Sequence, residues 1–309
     1  MNLNPGIVFL GTPDFAVSSL RALVDNGFSV VAVVTVPDKP AGRGLKLSES
    51  AIKQFAIQNN IPVLQPVKLK DPEFLKQLKS FRADIQVVVA FRMLPEMVWN
   101  MPPLGTINLH GSLLPQYRGA APINRAIMNG ETITGVTTFK LKQEIDTGNI
   151  LLSEEISIGP DETAGELHDR MKETGAALVV RTIRGLINET LSEKPQHFLD
   201  PSNLKTAPKI FTSDGEIRWS DPVSKIYNQI RGLSPFPGAF TTYKDKTFKI
   251  FRARAEKNIT SGLLGEMQTN GRNWLRFLGS DGYIYVEEMQ LEGKKRMVTA
   301  DFLRGYRPS

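Results

Sequence analysis

The sequence predicts an α/β protein with a doubly wound, mainly parallel sheet, followed by a small C-terminal β-barrel. Strand-like and helix-like segments alternate through the first two thirds of the chain, which is typical of a parallel sheet. The last third instead contains short strand-like runs separated by Gly, Asn and Asp turns. Residues 190–208 lose this periodicity and are rich in Pro, Ser and Asn. We therefore predict a first domain over 1–189, a linker over 190–208 and a second domain over 209–309.

The elements of the first domain follow from hydrophobic periodicity. Residues 6–11 form a short apolar strand, and residues 13–25 carry apolar side chains at helical spacing until Asn-Gly ends the pattern. Residues 29–35 and 84–90 are β-branched runs, which indicate strands buried on both faces.

The middle of the chain begins with a strand of alternating polar and apolar residues at 106–110. Residues 132–158 predict longer strands joined by a turn at 146–149. Thr163 and Glu166 form a capping-box pattern, which opens a long helix with one apolar stripe.

The second domain begins with a short helix from Ser220 through Ile230. Short strands then follow at Ala239–Tyr243, Thr247–Arg254, Trp274–Leu278 and Tyr283–Met289. Tight turns between such strands are typical of a small barrel.

The composition excludes several kinds of site. The chain has no cysteine, so it can form neither disulfides nor thiolate metal sites, which fits a reducing compartment. Its three histidines, His110, His168 and His197, are too few for a histidine-rich metal cage, and we expect no metal. The first residues lack a signal-peptide pattern and no apolar run approaches membrane-spanning length, so we expect no membrane partner.

Positive charge is concentrated in the last third of the chain. Residues 1–208 contain 21 Lys and Arg against 21 Asp and Glu, whereas residues 209–309 contain 17 against 11. A basic domain attached to a neutral one favours a polyanionic partner, and nucleic acid is the commonest. On charge alone, a domain that is merely basic fits equally well.

The loop at 37–46 has an unusual composition. Two prolines, two glycines and the cations Lys39, Arg43 and Lys46 follow a buried strand. This composition argues against both helix and strand. The loop follows the second strand, so it should emerge at the carboxyl edge of the sheet, where open α/β folds bind ligands.

The most informative segment is the strand end Asn108-Leu109-His110, with Asp146-Thr147-Gly148 further along the chain. Residues two apart on a strand share a face, so Asn108 and His110 should point the same way. An amide and an imidazole can donate hydrogen bonds to one developing oxyanion, and Asp146 could hold His110 in its cationic form. These groups suit acyl or formyl transfer to an amine. A single histidine after a strand is more often structural, and it is the neighbouring groups that favour the catalytic interpretation.

A family resemblance rests on these residues. Residues 108–115 (NLHGSLLP), 117–122 (YRGAAP) and 146–148 (DTG) resemble the folate-dependent formyltransferases. The first turn, 11–16 (GTPDFA), and the loop 38–44 (DKPAGRG) resemble the tRNA-acting branch of that family, and the resemblance extends over essentially the whole chain.

The resemblance implies a function and a set of site residues. It implies formyl transfer from 10-formyltetrahydrofolate to the α-amino group of the initiator methionyl-tRNA, and an OB-like C-terminal barrel that supports the tRNA. Asn108, His110 and Asp146 match the catalytic residues. The folate-contacting segment corresponds to Ser112, Leu113, Leu114 and Pro115, and the tRNA-probing loop to Lys39, Arg43 and Lys46. We expect a monomer in the bacterial cytoplasm.

One segment departs from the family pattern. Residues 90–95 read Ala-Phe-Arg-Met-Leu-Pro, where relatives often carry Ala-Tyr-Gly before Leu-Pro. Arg92 either adds bulk and charge near the expected pterin pocket, around Phe91, or points to solvent, which is the usual fate of arginine.

The cations of the second domain offer a further prediction. They are Lys244, Lys246, Lys249, Arg252, Arg254 and Lys257 along two strand-like runs, and a second cluster of Lys294, Lys295 and Arg296. Alternate members of the first group could share one face, and together they predict salt-sensitive tRNA binding.

Three kinds of alternative compete with this interpretation: a different formyl acceptor, a different class of enzyme and a protein without enzymatic activity. A formyltransferase acting on an amino-sugar nucleotide would share most of the architecture, whereas one acting on glycinamide ribonucleotide would not need residues 209–309. A dinucleotide-dependent oxidoreductase is disfavoured because the first turn offers Gly11-Thr12-Pro13 in place of a glycine-rich fingerprint. A non-enzymatic tRNA-binding protein would not need the Asn, His and Asp groups.

Overall fold

In the computed structural model, the described residues are 4–41, 46–196, 201–259 and 261–305. The strands are β1 (Ile7–Gly11), β2 (Val30–Val34), β3 (Lys39–Ala41), β4 (Lys46–Ser48), β5 (Val63–Leu64), β6 (Ile85–Val89), β7 (Thr106–His110), β8 (Arg118–Gly119), β9 (Ile133–Lys140), β10 (Ile150–Ser157), β11 (Thr206–Ala207), β12 (Ala239–Tyr243), β13 (Lys246–Lys257), β14 (Met267–Thr269), β15 (Leu275–Leu278), β16 (Gly282–Leu291) and β17 (Met297–Val298). The α-helices are α1 (Asp14–Asp25), α2 (Ala51–Gln58), α3 (Pro72–Ser80), α4 (Glu96–Trp99), α5 (Pro122–Met128), α6 (Ala164–Ile187), α7 (Val223–Gly232) and α8 (Thr299–Arg304). Short 3-10 helices lie at Pro201–Asn203 and Thr212–Gly215.

The chain divides into two compact units that interleave along the sequence. The first unit contains Met1–Arg118, Gly135–Ile156 and His168–Lys205. The second contains Gly119–Thr134, Ser157–Leu167 and Thr206–Ser309. The domain boundaries predicted at 189 and 208 remain a prediction.

The first unit is built on a seven-stranded sheet in the order β10-β9-β7-β6-β1-β2-β5. Strands β5, β2, β1, β6 and β7 run parallel, and β9 pairs with β7 in the antiparallel sense. All five residues of β1 and of β6 are buried, as expected for central parallel strands. On one face, Val8, Leu10, Val34 and Val88 pack with Phe74 of α3. This confirms the predicted doubly wound, mainly parallel sheet.

Two segments show how local sequence sets the helix ends. At the end of α1, Asn26 donates its side-chain amide to the Ala22 carbonyl, and Gly27 takes a φ of 75°, which glycine adopts without cost. At the start of α6, the Thr163 N–H donates to Glu166 and the Glu166 N–H donates to Thr163 Oγ1. The predicted capping box is therefore present.

The segment 37–46 corrects one prediction. Lys39–Ala41 and Lys46–Ser48 pair as a two-stranded antiparallel ribbon, with Pro40 opposite Leu47, so the expectation that this segment contains no strand was wrong. Both strands of a two-stranded ribbon are edge strands. Proline is tolerated in an edge strand because the N–H that it lacks is not needed for hydrogen bonds to a further strand.

The second unit contains an antiparallel sheet in the order β12-β13-β16-β15-β14, with β17 added to β16. Helix α7 covers its inner face, where Val223, Ile226 and Ile230 are fully buried with Phe248 and Ile284. Burial of each such side chain contributes roughly 1.5–3 kcal/mol. The sheet is a half-barrel of OB-like type, which confirms the predicted C-terminal β fold.

Candidate active site

Asn108 and His110 end strand β7 on the same face. Strand β7 lies between β6 and β9, and the register sets Asn108 opposite Val88 and Phe139. Ile107 and Leu109 face the core, with 0% and 4% of their surface exposed. The predicted alternation is therefore present, and it directs an amide and an imidazole to one side of the carboxyl edge of the sheet.

The His110 ring is held from both sides. Its Nε2 lies 2.8 Å from the Tyr117 carbonyl oxygen, which can only accept, so Nε2 carries a proton and donates. In the neutral ring, Nδ1 is then a proton acceptor. Nδ1 lies 3.7 Å from Asp146 Oδ2, beyond direct hydrogen-bond length but close enough for strong charge attraction once the ring is protonated. The two side chains are only 7% and 12% exposed.

A tight turn carries Asp146 to this position. Asp146 has a left-handed φ of 53°, which aspartate tolerates better than most residues. Gly148 packs against β9 so closely that a Cβ there would lie 1.6 Å from the Lys140 carbonyl oxygen. Only glycine fits at this position, so the Asp-Thr-Gly sequence fixes the turn, and the carboxylate with it, against the end of β9.

Gln196 secures the same turn from the segment predicted as a linker. Its amide nitrogen donates to the carbonyls of Asp146 and Gly148, at 2.9 and 2.7 Å. Its amide oxygen accepts from Nε and Nη2 of Arg118, at 3.1 and 2.6 Å. Lys194 also exchanges two backbone hydrogen bonds with Ile150. Part of residues 190–208 therefore belongs structurally to the site.

Tyr117 and Arg118 complete the surroundings of the His–Asp pair. Tyr117 has a φ of 59°, a strained conformation for a bulky residue, and it aims its carbonyl at His110 while its N–H donates to Lys205. Burial lowers the pKa of the Arg118 guanidinium, an effect opposed by the charges of Asp146 and Glu144. Arg118 thus places a positive charge near the Asp146 carboxylate. Sequence reasoning assigned no role to Tyr117, Arg118 or Gln196.

The predicted folate-contacting residues lie on the loop that follows β7. Ser112 is fully buried and donates its hydroxyl to the Gln116 carbonyl at 2.6 Å, so that hydroxyl stabilises the loop. Leu113 packs on Gly135, and Leu114 is 7% exposed and donates its N–H to Thr137 Oγ1. Pro115 is half-buried. These contacts fix the shape of the loop beside Asn108 and His110.

Comparison with known proteins identifies the family. Residues 6–183 match the Formyl transferase family, and residues 209–307 match the Formyl transferase, C-terminal domain family. The chain is 47% identical over 306 residues to a methionyl-tRNA formyltransferase of Bacteroides fragilis, covering 97% of this chain and 94% of that relative. The chain belongs to the methionyl-tRNA formyltransferase family. A second family member, from Azobacteroides pseudotrichonymphae, is 51% identical over 308 residues, with 97% and 95% of the two chains covered.

Solved structures of other formyltransferases share the fold of this family member. A sugar 3N-formyltransferase has a TM-score of 0.69 at 21% identity and covers 94% of this chain and 99% of its own. An N-formyltransferase from Helicobacter canadensis, solved with folinic acid and dTDP-3-aminofucose, has a TM-score of 0.68 at 21% identity, covering 91% and 97%.

Two of the three predicted tRNA-contacting residues of this family member lie in the β3–β4 ribbon. Lys39 is exposed in β3, Lys46 belongs to β4, and Arg43 lies outside the described residues. At the base of the ribbon, Asp38 pairs with Lys53 and accepts from Gln65 at 2.8 Å. Lys53, together with Gln65, lowers the pKa of the Asp38 carboxyl. The Asp38 carboxylate is therefore bound by side chains of the protein. In a dinucleotide-dependent enzyme, the carboxylate at this position would instead accept a hydrogen bond from the ribose.

Arg92 does not simply extend into solvent. Its Nη1 donates to the Val67 carbonyl at 2.9 Å, and its Nη2 donates to the Pro66 carbonyl. The guanidinium also lies 5.5 Å from the centre of the Phe91 ring, and burial lowers its pKa. Arg92, the residue that departs from the family pattern, thus links the loop after β6 to the loop after β5 by hydrogen bonds.

Two kinds of feature are absent from the residues that the structure describes. Within residues 4–41, 46–196, 201–259 and 261–305, no group of three or more His, Cys, Asp or Glu side chains could hold a metal ion. In the same ranges, no helix is both long and apolar enough to cross a membrane.

Proposed function

We propose that this chain transfers the formyl group of 10-formyltetrahydrofolate to the α-amino group of methionine on initiator tRNA, with Asn108, His110 and Asp146 as catalytic residues. One observation carries the assignment of the residues. The imidazole of His110 is fixed between the Tyr117 carbonyl and the Asp146 carboxylate, two residues from Asn108 on the same strand. The family relationship supplies the substrates.

Asn108 is proposed to stabilise the developing oxyanion. When the amine attacks the formyl carbon, the formyl oxygen becomes negative and needs a hydrogen-bond donor. Within the described part of the chain, the Asn108 side chain makes no hydrogen bond, and it is only half-buried. Its NH₂ group is therefore available to the substrate without first breaking a bond in the protein.

His110 and Asp146 are proposed to handle the proton that the amine loses. The overall exchange forms a C–N bond to the amine, breaks the bond from the formyl carbon to N10, and moves one proton from the amine to N10. Because Nε2 donates to Tyr117, the nitrogen that accepts a proton is Nδ1, which faces Asp146. Protonation there creates an imidazolium beside a carboxylate, and that positive charge also favours the oxyanion.

This arrangement changes the role first expected for His110. A ring N–H donated straight to the formyl oxygen would have to come from Nε2, which is bonded to Tyr117 at 2.8 Å, or from Nδ1 after protonation. We therefore propose that His110 acts mainly through its charge and its proton on Nδ1, and that Asn108 is the direct donor.

Orphaned polar atoms at the same sheet edge fit a folate. Thr12 Oγ1 and Arg92 Nε are buried without a hydrogen-bond partner among the described residues, and they follow the adjacent strands β1 and β6. A pterin ring presents both donors and acceptors to such atoms, and the half-buried Phe91, next to Arg92 in the chain, offers apolar surface. We propose that this edge, with the loop 112–115, holds the folate, which supplies the formyl group when bound.

Transfer assays with several acceptors test the function. Purified protein would be supplied with 10-formyltetrahydrofolate and methionine-charged initiator tRNA, with elongator methionyl-tRNA, an amino-sugar nucleotide and water as parallel acceptors. We expect rapid transfer to the initiator tRNA. Turnover only on the sugar or on water would retain the chemistry and overturn the tRNA assignment.

We also propose that the protein acts as a monomer in the bacterial cytoplasm, where charged tRNA is available. Sedimentation of the free protein tests the oligomeric state, and a mass of twice the 34.3 kDa chain would contradict it.

A further inference from the structure

The β3–β4 ribbon is attached to the first unit at its base. Strands β3 and β4 pair with each other in a two-stranded sheet of their own. A two-stranded hairpin by itself is at best marginally stable in water, so the contacts at its base help to set its direction. Asp38 lies directly before β3, and its carboxylate accepts hydrogen bonds from Lys53 of α2 and, at 2.8 Å, from Gln65 beyond β5. One carboxylate thus joins the ribbon to two other elements of the same unit.

Gln65 fixes the backbone that leads into the ribbon. Its side-chain amide nitrogen carries two protons, and it donates to the Val36 carbonyl at 2.9 Å as well as to Asp38 Oδ1. Gln65 is half-buried, and Leu64, the residue before it, pairs with Val34 in the main sheet. The position of Gln65 therefore helps to set the path of the chain from β2 into the ribbon.

Arg92 holds the residues that follow Gln65. Its Nη1 donates to the Val67 carbonyl at 2.9 Å, and its Nη2 donates to the Pro66 carbonyl. A guanidinium presents its donors in a rigid plane, so these two hydrogen bonds fix the orientation of both carbonyls. Val67 is 76% exposed and gains little from burial, which leaves the hydrogen bonds as a main support of this segment. Arg92 therefore helps to fix the position of Gln65.

The other surroundings of Arg92 agree with a role in holding backbone. Among the residues that the structure describes, Arg92 has no carboxylate within 4.0 Å. Its guanidinium lies 5.5 Å from the centre of the Phe91 ring, which restricts its movement. Glycine, which relatives often carry at this position, could make none of these contacts. The link from the loop after β6 to the ribbon is therefore made by a residue in which this chain departs from the family pattern.

We propose that Gln65 and Arg92 are positioning residues for the acceptor, because together they hold the base of the ribbon whose cations Lys39 and Lys46 are proposed to contact the tRNA. Arg92 belongs to the sheet edge proposed to hold the folate, so it acts on the acceptor from the site of the other substrate. Both residues act through the ribbon and not by contact with the tRNA. The proposal rests on the proposed function for the identity of the acceptor, whereas the attachment of the ribbon can be measured without any substrate.

The first measurement uses the free full-length chain. Hydrogen exchange, read by mass spectrometry, reports how often the amides of β3 and β4 open. Gln65→Leu and Arg92→Met should each speed this exchange about threefold to tenfold, the factor that corresponds to one typical hydrogen bond. Exchange in β13 of the second unit should be unchanged. Lys68→Met is the matched control, because it removes from the same segment an exposed cation whose side chain makes no hydrogen bond or ion pair among the described residues.

The second measurement is the kinetics of initiator tRNA formylation. Gln65→Leu should raise the KM for methionyl-tRNA about threefold to tenfold and leave kcat and the KM for 10-formyltetrahydrofolate unchanged, because it loosens the ribbon alone. Arg92→Met should raise the KM for tRNA by a similar factor, and Arg92→Lys, which keeps the charge and one group of donors, should recover part of the loss. The double variant Gln65→Leu with Arg92→Met should exceed the larger single effect by less than about twofold, because both substitutions break the same series of contacts, whereas independent effects would multiply.

Unchanged exchange in β3 and β4 in both variants would overturn the proposal, as would KM effects that multiply in the double variant or that Lys68→Met reproduces. If Arg92→Met exchanges faster throughout the chain because it is unstable, Gln65→Leu decides the outcome. If the ribbon loosens while the KM for tRNA stays that of the wild type, the positioning role fails and the proposed function stands. If the wild-type protein formylates no tRNA, the proposed function fails, and faster exchange in the ribbon still supports its attachment through Gln65 and Arg92.

Discussion

Gly148 offers a way to move the Asp146 carboxylate, which we propose to be catalytic, without changing its chemistry. In Gly148→Ala, the new Cβ would lie 1.6 Å from the Lys140 carbonyl oxygen and 2.8 Å from the carbonyl carbon, whereas real Cβ contacts essentially never fall below 3.0 Å. The turn must therefore retreat from β9 by about 1.4 Å. Strand β9 is the less movable partner, because it is hydrogen-bonded within the sheet between β7 and β10.

A retreat of this size matters because Asp146 Oδ2 lies only 3.7 Å from His110 Nδ1. A misplacement of about 1 Å at a reacting centre can reduce the rate roughly 100-fold. We expect kcat of Gly148→Ala to fall about 10- to 100-fold with a small change in KM, because the residues that we propose to bind folate and tRNA lie outside this turn. The overpacking should also lower the free energy of unfolding by about 1–3 kcal/mol.

The assay compares kcat and KM of Gly148→Ala for formylation of initiator tRNA, with urea unfolding as the measure of stability. Asp146→Asn is the reference for loss of the charge in place. Gly305→Ala is the matched control, because its new Cβ would meet no atom of the described residues closer than 3.8 Å and its φ is not left-handed. A kcat for Gly148→Ala within threefold of the wild type, in a folded protein, would refute the argument that the turn position controls the reaction.

Four further predictions follow from individual contacts. Asn108→Ala should lower kcat about 100- to 1,000-fold in single-turnover assays, as expected for loss of an oxyanion donor, and a change below threefold would contradict that role. Gln196→Leu leaves the carbonyls of Asp146 and Gly148 without their donor, so kcat should fall about tenfold and urea unfolding should show a loss of roughly 1–3 kcal/mol. Burial raises the pKa of the Glu166 carboxyl, but the hydrogen bonds from Thr163 and the charge of Arg252 outweigh burial and lower it. The ionised carboxylate therefore stabilises the folded protein above the usual pKa of 4.5, and this stabilisation is lost as the pH falls below that value. The difference in urea midpoint between wild type and Glu166→Gln should therefore shrink as the pH falls from 7 through 4.5 to 3. Arg43→Ala should raise the KM for tRNA and leave folate binding, measured by fluorescence quenching, unchanged; equal losses in both would assign Arg43 to the shape of the site.

The predictions that succeeded rest on local rules. The alternation at 106–110 directs Asn108 and His110 to one face because successive side chains on a strand point to opposite sides. The prediction of a capping box at Thr163 is also confirmed by a local rule. Its two partners are three residues apart, so their hydrogen bonds depend on no other part of the chain.

The residues that the sequence could not supply act across long separations. Gln196 joins the site from a segment without periodicity, 50 residues beyond the Asp146 carbonyl that it contacts. In the same way, alternation in the second domain predicted a shared face, but it could not predict that Arg252 pairs with Glu166, 86 residues away. A bulge in the pairing of β13 with β16 near Arg252 also shifts the simple alternation.

The position of the protons on His110 shows most clearly how the sequence and the tertiary structure together define the site. The sequence places an imidazole near a carboxylate, and by itself that leaves both ring nitrogens open to a direct role at the formyl oxygen. The left-handed backbone of Tyr117 removes one choice, because it turns a carbonyl toward Nε2 and thereby assigns the proton of the neutral ring to that atom. Nδ1, the remaining nitrogen, faces Asp146 across 3.7 Å, so a second proton on the ring would lie beside the carboxylate. We therefore propose that the strained backbone of Tyr117 decides which atom of His110 accepts the proton of the attacking amine, and that the direct donor to the oxyanion is the Asn108 amide.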